Sequence, residues 1–288
     1  MFHGFRTETL KTDGAAIHAR IGGSGPPLLL LHGYPQTHVI WHKIAPALAE
    51  RFTVVATDLR GYGDSSKPES DDRHAAYSKR AMAADQVAVM AALGFGRFSV
   101  VGHDRGGRVA HRLVRDHEDR VHRWAVLDIA PTAAMYAQTD MDFARAYYHW
   151  FFLIQPFDLP ERMIGADPAY YLARKLRAWG RNDAALTEAA RAEYLRCFSD
   201  PACIHASCED YRAAAGIDLE HDGEDAARKS APPLLALWGA EGFVGKTYDV
   251  LAEWRKVASN VSGHAVPGGH YVPEEAPEET LAALMDFL

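Results

Sequence analysis

The hydrophobic and polar positions in the first half of the chain alternate between two kinds of pattern. Short continuous apolar runs, as expected of strands buried on both faces of a parallel sheet, occupy residues 27–31, 52–57, 98–102 and 124–127. Helix-like segments separate them at residues 41–50, 78–93 and 105–116. A weaker alternation at residues 15–21 predicts an edge strand. Together they predict an α/β fold with a mostly parallel central sheet flanked by helices.

This alternation stops at Ile129-Ala130-Pro131. Residues 130–230 are rich in helical patterns and aromatic side chains and contain no convincing strand, whereas strand patterns resume at residues 233–239 and 261–266. We therefore predict a core domain made of residues 1–129 and 231–288. Residues 130–230 are predicted to be an α-helical cap domain inserted into it.

Composition narrows the class of protein. The 288 residues are 48% hydrophobic and 24% charged, as in ordinary globular proteins, and the net charge of −7 disfavours nucleic acid or an anionic membrane as partner. No apolar run approaches the length of about 20 residues that a membrane span needs. Cys197, Cys203 and Cys208 lack the spacing of a disulfide framework or a zinc site. We therefore expect no metal or cofactor and a cytoplasmic location.

The segment Gly102-His103-Asp104-Arg105-Gly106 stands where an apolar strand gives way to a helix. Small residues flanking a central polar residue in such a turn are typical of a nucleophile elbow, which lifts the central side chain out of the fold. The usual nucleophile is serine, but this chain has Asp104. The alternative is that Asp104 is only the N-cap of the following helix.

Further polar residues follow other predicted strands, at the sheet edge where open α/β folds bind ligands. Asp128 ends the run at 124–127, and His270 lies in a late loop, Gly268-Gly269-His270. Nucleophile, acid and histidine then follow the chain order of an α/β-hydrolase triad. Glu241, after the next strand, is the alternative acid, but Asp128 is favoured because it is shorter and directly ends an apolar strand.

An aspartate nucleophile indicates displacement at an sp3 carbon, which forms an ester between the enzyme and an alkyl group. His270 would activate the water that opens this ester, and the acid would orient the histidine. The oxyanion on Asp104 needs donors. The backbone amides of Arg105 and of Tyr34, in His32-Gly33-Tyr34-Pro35, are the candidates.

Two arginines and a group of aromatic residues are candidates for binding the substrate. Arg105 and Arg108 share a helical face in a first turn where cations oppose the helix dipole, so a bound carboxylate would stabilise them. For Arg108, the alternative is ordinary surface pairing with a neighbouring acid. A leaving halide needs hydrogen-bond donors, and several aromatic residues of the predicted cap could supply them. These residues are Tyr147, Tyr148, His149, Trp150, Trp179 and Tyr211. The alternative is that most of them pack in the hydrophobic core.

Taken together, these residues resemble the haloacetate dehalogenases of the α/β-hydrolase superfamily, most closely the fluoroacetate dehalogenases, over nearly the whole chain. The motifs that carry the resemblance are His32-Gly33-Tyr34-Pro35-Gln36-Thr37-His38, Gly102-His103-Asp104-Arg105-Gly106, Arg108, Leu127-Asp128-Ile129, Tyr148-His149-Trp150, Cys208-Glu209-Asp210-Tyr211-Arg212, Leu237-Trp238-Gly239-Ala240 and Gly269-His270.

The resemblance implies hydrolysis of a haloacetate to glycolate and halide by a homodimer. It implies Asp104 as nucleophile, His270 as base and Asp128 as its partner. It further implies that Arg105 and Arg108 bind the substrate carboxylate, while the halide site and the pocket wall are formed by His149, Trp150, Tyr211 and Trp179. Tyr34 is a departure, since the family often has phenylalanine there.

Two other functions remain as alternatives. An epoxide hydrolase would use the same aspartate and histidine, with cap tyrosines such as Tyr148 and Tyr211 activating the epoxide oxygen, but a neutral epoxide leaves the arginine pair unexplained. A ligand-sensing protein could have kept the pocket without turnover. A complete set of catalytic groups disfavours that interpretation.

Overall fold

The computed structural model describes residues 1–288 and contains one eight-stranded sheet. Its strands are β1 (Arg6–Lys11), β2 (Ala16–Gly22), β3 (Pro27–Leu31), β4 (Thr53–Thr57), β5 (Phe98–His103), β6 (Val121–Leu127), β7 (Leu234–Gly239) and β8 (Val261–Val266). The spatial order is β1-β2-β4-β3-β5-β6-β7-β8. β1 and β2 are antiparallel to their neighbours, and the other six strands are parallel. The predicted α/β class with a mostly parallel sheet is confirmed.

The central strands are buried because their sequences are apolar throughout. The four leucines of β3 are fully buried between β4 and β5, where both faces of the sheet are covered. The prediction that residues 15–21 form an edge strand was wrong, since β1 pairs along the outer side of β2. β1 was missed because its sequence, Arg-Thr-Glu-Thr-Leu-Lys, is mostly polar and faces solvent.

Helices α1 (Ala45–Leu48), α2 (Lys79–Ala92) and α3 (Arg105–Asp116) cover the sheet within the first half of the chain. The Ser78 hydroxyl accepts a hydrogen bond from the Ala81 amide at 3.2 Å, so the predicted start of α2 at this N-cap is confirmed. The single helix predicted at residues 41–50 was wrong. Trp41 instead ends the 3₁₀ turn His38–Trp41, and α1 begins only at Ala45, because Pro46 is incompatible with a continuous helix from residue 41.

Eight helices and no strand lie between β6 and β7, and we call Thr132–Glu224 the helical insertion. They are α4 (Thr132–Ala137), α5 (Met141–Ala146), α6 (His149–Phe152), α7 (Leu159–Ala166), α8 (Pro168–Trp179), α9 (Glu188–Phe198), α10 (Pro201–Ala215) and α11 (Ile217–Glu224). The helical pattern of residues 142–153 is divided between α5 and α6 at Tyr147, whose backbone leaves the helical region. The division into core and cap domains stays a prediction.

After the helical insertion, four short helices complete the fold: α12 (Phe243–Thr247), α13 (Val250–Val257), α14 (Val272–Glu275) and α15 (Pro277–Phe287). None of the helices is both long enough and apolar enough to cross a membrane. The carboxyl ends of β3, β5, β6 and β7 meet at one edge of the sheet, beneath the helical insertion.

The turn from β5 to α3 is packed so closely that side chains would not fit in it. A Cβ atom on Gly102 would lie 2.3 Å from the Gly106 carbonyl oxygen. A Cβ atom on Gly106 would lie 2.4 Å from the carbonyl oxygens of His32 and Leu31. The two glycines therefore hold α3 against β3 and β5 and fix the position of the residues between them.

Candidate active site

Asp104 occupies the turn between β5 and α3 in a strained backbone conformation. Its φ of 45° and ψ of −114° lie outside the regions that non-glycine residues ordinarily adopt. The side chain makes no hydrogen bond to the first turn of α3, so the geometry does not support the N-cap alternative. It points instead toward Gly33, where a Cβ atom would lie 2.4 Å from the Cβ of Asp104.

One of the two predicted amide donors reaches the Asp104 carboxylate. The Tyr34 backbone N–H donates to Oδ2 at 2.9 Å, and the other predicted donor, the Arg105 amide, makes no hydrogen bond to this side chain. The Tyr34 hydroxyl donates to the Tyr171 hydroxyl on α8 at 3.2 Å. Tyr34 thus contacts the Asp104 carboxylate through its backbone and the helical insertion through its side chain.

His270 and Asp128 form a buried hydrogen-bonded pair, with 2.6 Å between the histidine Nδ1 and the aspartate Oδ2. The other carboxylate oxygen of Asp128 accepts from the Gly239 amide at 3.0 Å. Asp128 has a φ of 53°, which turns its side chain from the end of β6 toward β7. Glu241 is exposed and makes no such contact, so the geometry favours Asp128 as the acid.

The loop that contains His270 is hydrogen-bonded both to the helical insertion and to the central sheet. Its amide donates to the Trp179 carbonyl on α8 at 3.0 Å. Its carbonyl accepts from Nε2 of His103, whose ring lies 4.6 Å from the His270 ring. Burial lowers the pKa of His103 to about 3, so this ring is neutral and serves as an N–H donor.

The charges around Asp104 favour the ionised form of its carboxyl group. Burial by itself raises the pKa of Asp104, but His270, His103, Arg108 and Arg105 together bring it below the ordinary value. Burial lowers the pKa of His270, whereas the hydrogen bond from its Nδ1 to Asp128 raises it above the ordinary value overall. An anionic carboxylate therefore lies beside a histidine that can accept a proton near neutral pH.

Arg105 is fully buried and already has a carboxylate partner that the sequence analysis did not assign. Its Nε and Nη2 donate to the two carboxylate oxygens of Asp210, at 2.9 and 2.6 Å. Its guanidinium carbon lies 4.1 Å from the centre of the Tyr211 ring. The third nitrogen, Nη1, is buried without any partner.

Arg108 is buried and has only neutral partners. Its Nη1 donates to the Ala130 carbonyl at 3.1 Å and to the Thr132 hydroxyl at 2.8 Å, and its Nε has no partner. Burial and then Arg105 lower its pKa below the ordinary value. The predicted alternative, pairing of Arg108 with a neighbouring acid, is absent. An unpaired buried cation is costly unless a ligand supplies the anion.

The predicted halide ligands come together over this site. The His149 ring lies 5.4 Å from the Tyr211 ring and 4.5 Å from that of Trp179, and the Trp150 ring lies 6.5 Å from Tyr211. Nδ1 of His149 and the Tyr211 hydroxyl are buried without hydrogen-bond partners. Burial, followed by Lys175, holds the pKa of His149 well below its ordinary value, so its ring is a neutral donor.

Asp210 is the main residue that sequence reasoning missed. Besides Arg105, it accepts from the Tyr62 hydroxyl at 2.6 Å and from the Lys79 ammonium group, all within the protein interior. Asp218 lies 3.4 Å from the same ammonium nitrogen. Since Lys79 and Asp210 are 131 positions apart, no local pattern could have revealed this network.

One cluster outside this site has the composition of a metal site. Ligand atoms of His18, His38 and Asp58 lie within 4.8 Å of one another. One Asp58 oxygen already accepts from the His38 amide and Nδ1, at 2.8 and 2.9 Å, and the other accepts from the Asp64 amide at 3.0 Å. These hydrogen bonds satisfy the buried Asp58 carboxylate, which thereby stabilises the loop that follows β3.

Comparison with known proteins identifies the family of the chain. Residues 26–277 match the family model described as the alpha/beta hydrolase fold. The chain is 45% identical to a fluoroacetate dehalogenase of Burkholderia sp., covering all of this chain and 95% of that protein. It is 37% identical to a soluble epoxide hydrolase of Corynebacterium sp. strain C12, covering 96% of this chain and 94% of that one.

The solved structures extend the same relationship. A protein of Nostoc sp. PCC 7120 described as an alpha/beta hydrolase superposes with a TM-score of 0.99 at 61% identity, covering the whole of this chain and 99% of that one. The fold, the strand order and the full-length sequence identity therefore all indicate the same family. The chain belongs to the α/β-hydrolase fold family and is an enzyme related to the fluoroacetate dehalogenases.

Proposed function

We propose that this enzyme hydrolyses 2-haloacetates, fluoroacetate included, to glycolate and halide through an ester on Asp104. The observation that carries the proposal is the pair of buried arginines beside the nucleophile. Each has one nitrogen without a partner, Nη1 of Arg105 and Nε of Arg108. Such donors suit the carboxylate of a small acid, and they have no role toward a neutral substrate.

The first step is displacement at the carbon that carries the halogen. Because Oδ2 of Asp104 is held by the Tyr34 amide at 2.9 Å, Oδ1 is the oxygen free to attack. A C–O bond forms to Oδ1, the carbon–halogen bond breaks, and its electron pair leaves with the halide. The unpartnered Tyr211 hydroxyl and His149 ring nitrogen, with the Trp150 indole, would stabilise the departing anion.

The second step is hydrolysis of the ester. His270 accepts a proton through Nε2 from a water molecule, and the hydroxide attacks the carbonyl carbon of the esterified Asp104. The Tyr34 amide stabilises the oxyanion of the tetrahedral intermediate. The bond from the Asp104 carbonyl carbon to the carboxymethyl oxygen then breaks, and this oxygen takes the proton of the newly added hydroxyl, so that glycolate leaves and the carboxylate is restored. The proton on His270 passes to solvent. Asp128, hydrogen-bonded to Nδ1 at 2.6 Å, holds the required tautomer and stabilises the imidazolium.

A halide-release panel tests this function. We expect purified protein near neutral pH to release halide from fluoro-, chloro- and bromoacetate, and we expect less turnover of 2-chloropropionate because the site is closely packed with aromatic rings. Asp104→Asn should abolish halide release. Absence of halide release from all three acetates would overturn the proposal. Tight binding of these acids without halide release would favour the ligand-sensing alternative.

The covalent step has its own test. His270→Asn removes the base but leaves the nucleophile, so incubation with chloroacetate should add the mass of a carboxymethyl ester to the peptide that contains Asp104. Asp104→Asn/His270→Asn is the matched control and should gain no mass. An active wild-type enzyme whose His270→Asn variant never acquires the ester would contradict the covalent mechanism.

Epoxide hydrolysis is the second candidate, favoured by the 37% identical relative that bears that name. Tyr211 presents an unpartnered hydroxyl in the site, but the other cap tyrosine of the sequence-based alternative, Tyr148, is 46% exposed and lies under Lys175. One tyrosine, therefore, is placed for epoxide activation and the other is not. Turnover of styrene oxide without halide release from haloacetates would establish this alternative.

By the same resemblance, we propose that residues 130–230 act as a cap domain and that the enzyme is a cytoplasmic homodimer. The surface of the helical insertion around α7 exposes Phe157, Leu159 and Met163, which suits an interface better than solvent. The three cysteines are buried and unpaired, as suits a reducing compartment. Light scattering on purified protein should give twice the mass of 31.8 kDa.

A further inference from the structure

A cavity of about 350 Å³ leads from solvent to His270 between the helical insertion and the core. Its walls come from α5 and the segment after it, from α8, and from α12. Tyr147, Trp179 and Phe243 provide its apolar surface, and His270 lies at its inner end. We call this cavity the vestibule.

Five of the residues that line the vestibule are cationic and none is acidic: Arg145, Arg174, Lys175, Arg181 and Lys246. None of the five forms an ion pair within 4.0 Å of a carboxylate. The chain as a whole carries a net charge of −7, so this excess of positive charge is local. Adjacent like charges repel one another unless an anion lies between them.

Lys175 is the least expected of the five because it is buried. Its ammonium nitrogen lies 3.5 Å from the centre of the Tyr148 ring and 5.0 Å from that of Trp179, and it has no acidic partner. Burial lowers its pKa to about 7. Cation–π contacts stabilise such a charge only in part, and an anion in the vestibule would stabilise it further.

Two arginines on the outer surface of the helical insertion provide a contrast. Arg162 on α7 lies 3.9 Å from Asp158, and Arg177 on α8 lies 4.0 Å from Asp183. Both are strongly exposed and each has an acidic neighbour, as is usual on a protein surface. The cations of the vestibule differ because they face a common cavity and lack such neighbours.

We propose that the vestibule is an outer anion-binding site, at which a small carboxylate collects before it passes to Arg105 and Arg108. The identity of that carboxylate as a haloacid rests on the proposed function, whereas anion binding itself does not. A cluster of cations around a concave entrance concentrates anions and raises their association rate, and dissolved salt screens the effect over about 8 Å at physiological ionic strength.

The binding test uses iodide, an anion that quenches tryptophan fluorescence, and the neutral quencher acrylamide. Trp179 lines the vestibule, so the Trp179→Phe variant identifies its share of the signal. Arg145→Gln/Lys246→Gln removes two charges from the vestibule wall, and Arg162→Gln/Arg177→Gln removes two charges from the outer surface. At fixed ionic strength, we expect the first pair to reduce iodide quenching of Trp179 at least twofold, roughly as expected for steering by charge.

Quenching of Trp179 by acrylamide should be the same in the wild type and in the two double charge variants. The variant Arg162→Gln/Arg177→Gln should behave like the wild type toward iodide. Equal iodide quenching of Trp179 in the wild type and in Arg145→Gln/Lys246→Gln would overturn the outer site. This result does not depend on turnover. A preparation that concentrates iodide but releases no halide from haloacetates would retain the outer site and refute the proposed function.

The kinetic test follows only if haloacetates are turned over. We expect Arg145→Gln/Lys246→Gln to lower kcat/KM for chloroacetate at low salt by roughly threefold to tenfold, because a whole charged cleft contributes about tenfold or more and only two of the five charges are removed. The two proteins should converge as salt screens the remaining charges. A kcat/KM that is equal in both proteins at low salt would contradict a role for the vestibule in substrate capture.

Discussion

A single side chain, Asp210, is the common counter-ion of two buried cations, Arg105 and Lys79. It lies on α10 of the helical insertion, is fully buried, and accepts hydrogen bonds from Arg105, Lys79 and Tyr62. Burial raises the pKa of Asp210, but the cations Arg105 and Lys79 hold this pKa below its ordinary range overall. Arg105 is therefore fixed before substrate arrives, with only Nη1 left to donate.

Replacing Asp210 by asparagine should destabilise the protein strongly. Two buried cations would lose their common counter-ion, and breaking a buried pair in this way typically costs about 3–5 kcal/mol. The free energy of unfolding, measured by urea denaturation, checks the prediction. Glu220→Gln is the control, since Glu220 pairs with Arg73 on the surface and should cost less than about 1 kcal/mol. Equal losses in the two variants would contradict the importance of burial.

Part of the site could be predicted residue by residue. Asp104, Asp128 and His270 each follow a recognisable strand or loop pattern, and the structure brings the last two within 2.6 Å. The bidentate contact of Asp210 with Arg105 joins residues 105 positions apart. Such a pair is determined by how the insertion packs on the core, and neither residue carries a local signal of it.

At the scale of the element, the turn between β5 and α3 depends on close backbone packing. Gly106→Ala would place a methyl group 2.4 Å from two carbonyl oxygens, so α3 would have to move away from β3. Overpacking of this kind costs about 1–3 kcal/mol or more, and it would also displace Asp104. We expect Gly106→Ala to lower both the free energy of unfolding and the rate of halide release.

The matched control is Gly165→Ala on α7. Gly165 is exposed, and nothing lies within 4 Å of the Cβ that the substitution adds. Alanine favours a helix over glycine by about 0.5–1 kcal/mol, so this variant should be slightly more stable than the wild type. A Gly106→Ala variant as stable as Gly165→Ala would show that the turn has room to adjust.

Elements buried on both faces could be predicted from sequence, whereas elements exposed on one side or broken by packing could not. The leucines of β3 indicate a central strand without further information. β1 shows mostly polar side chains to solvent and gives no such signal. The break at Tyr147 arises from the packing of aromatic rings around the vestibule, for which helix propensity gives no warning.

At the scale of the whole molecule, buried neutral histidines make stability depend on pH. His111 on α3 packs between Trp124 and Trp254, with ring centres at 5.9 and 5.3 Å. Burial, followed by Arg115, Arg112 and Arg108, lowers the pKa of His111 to about 3. In the unfolded chain this histidine takes up a proton near pH 6.5, so its contribution to stability is complete above that pH and declines below it.

We therefore expect His111→Phe to reduce the loss of stability between pH 7.5 and pH 5.5, by up to about 1.4 kcal/mol for each pH unit below 6.5. Urea denaturation at the two pH values measures it. His264→Phe, at an exposed position on β8, is the control for the substitution itself. His270 is present in the wild type and in both variants, so its contribution to the pH dependence cancels in the comparison. An unchanged pH dependence in His111→Phe would contradict the prediction.

The bonds of Asp210 to Arg105 and Lys79 also join the two parts of the chain mechanically. Asp210 belongs to the helical insertion, whereas Arg105 lies on α3 and Lys79 on α2, and all three side chains are buried. Moving α10 away from α2 and α3 would separate these buried charges, so we expect this contact to resist such a movement. Any opening that admits a ligand to the vestibule should then involve α5 and α8, which line its wall, rather than α10.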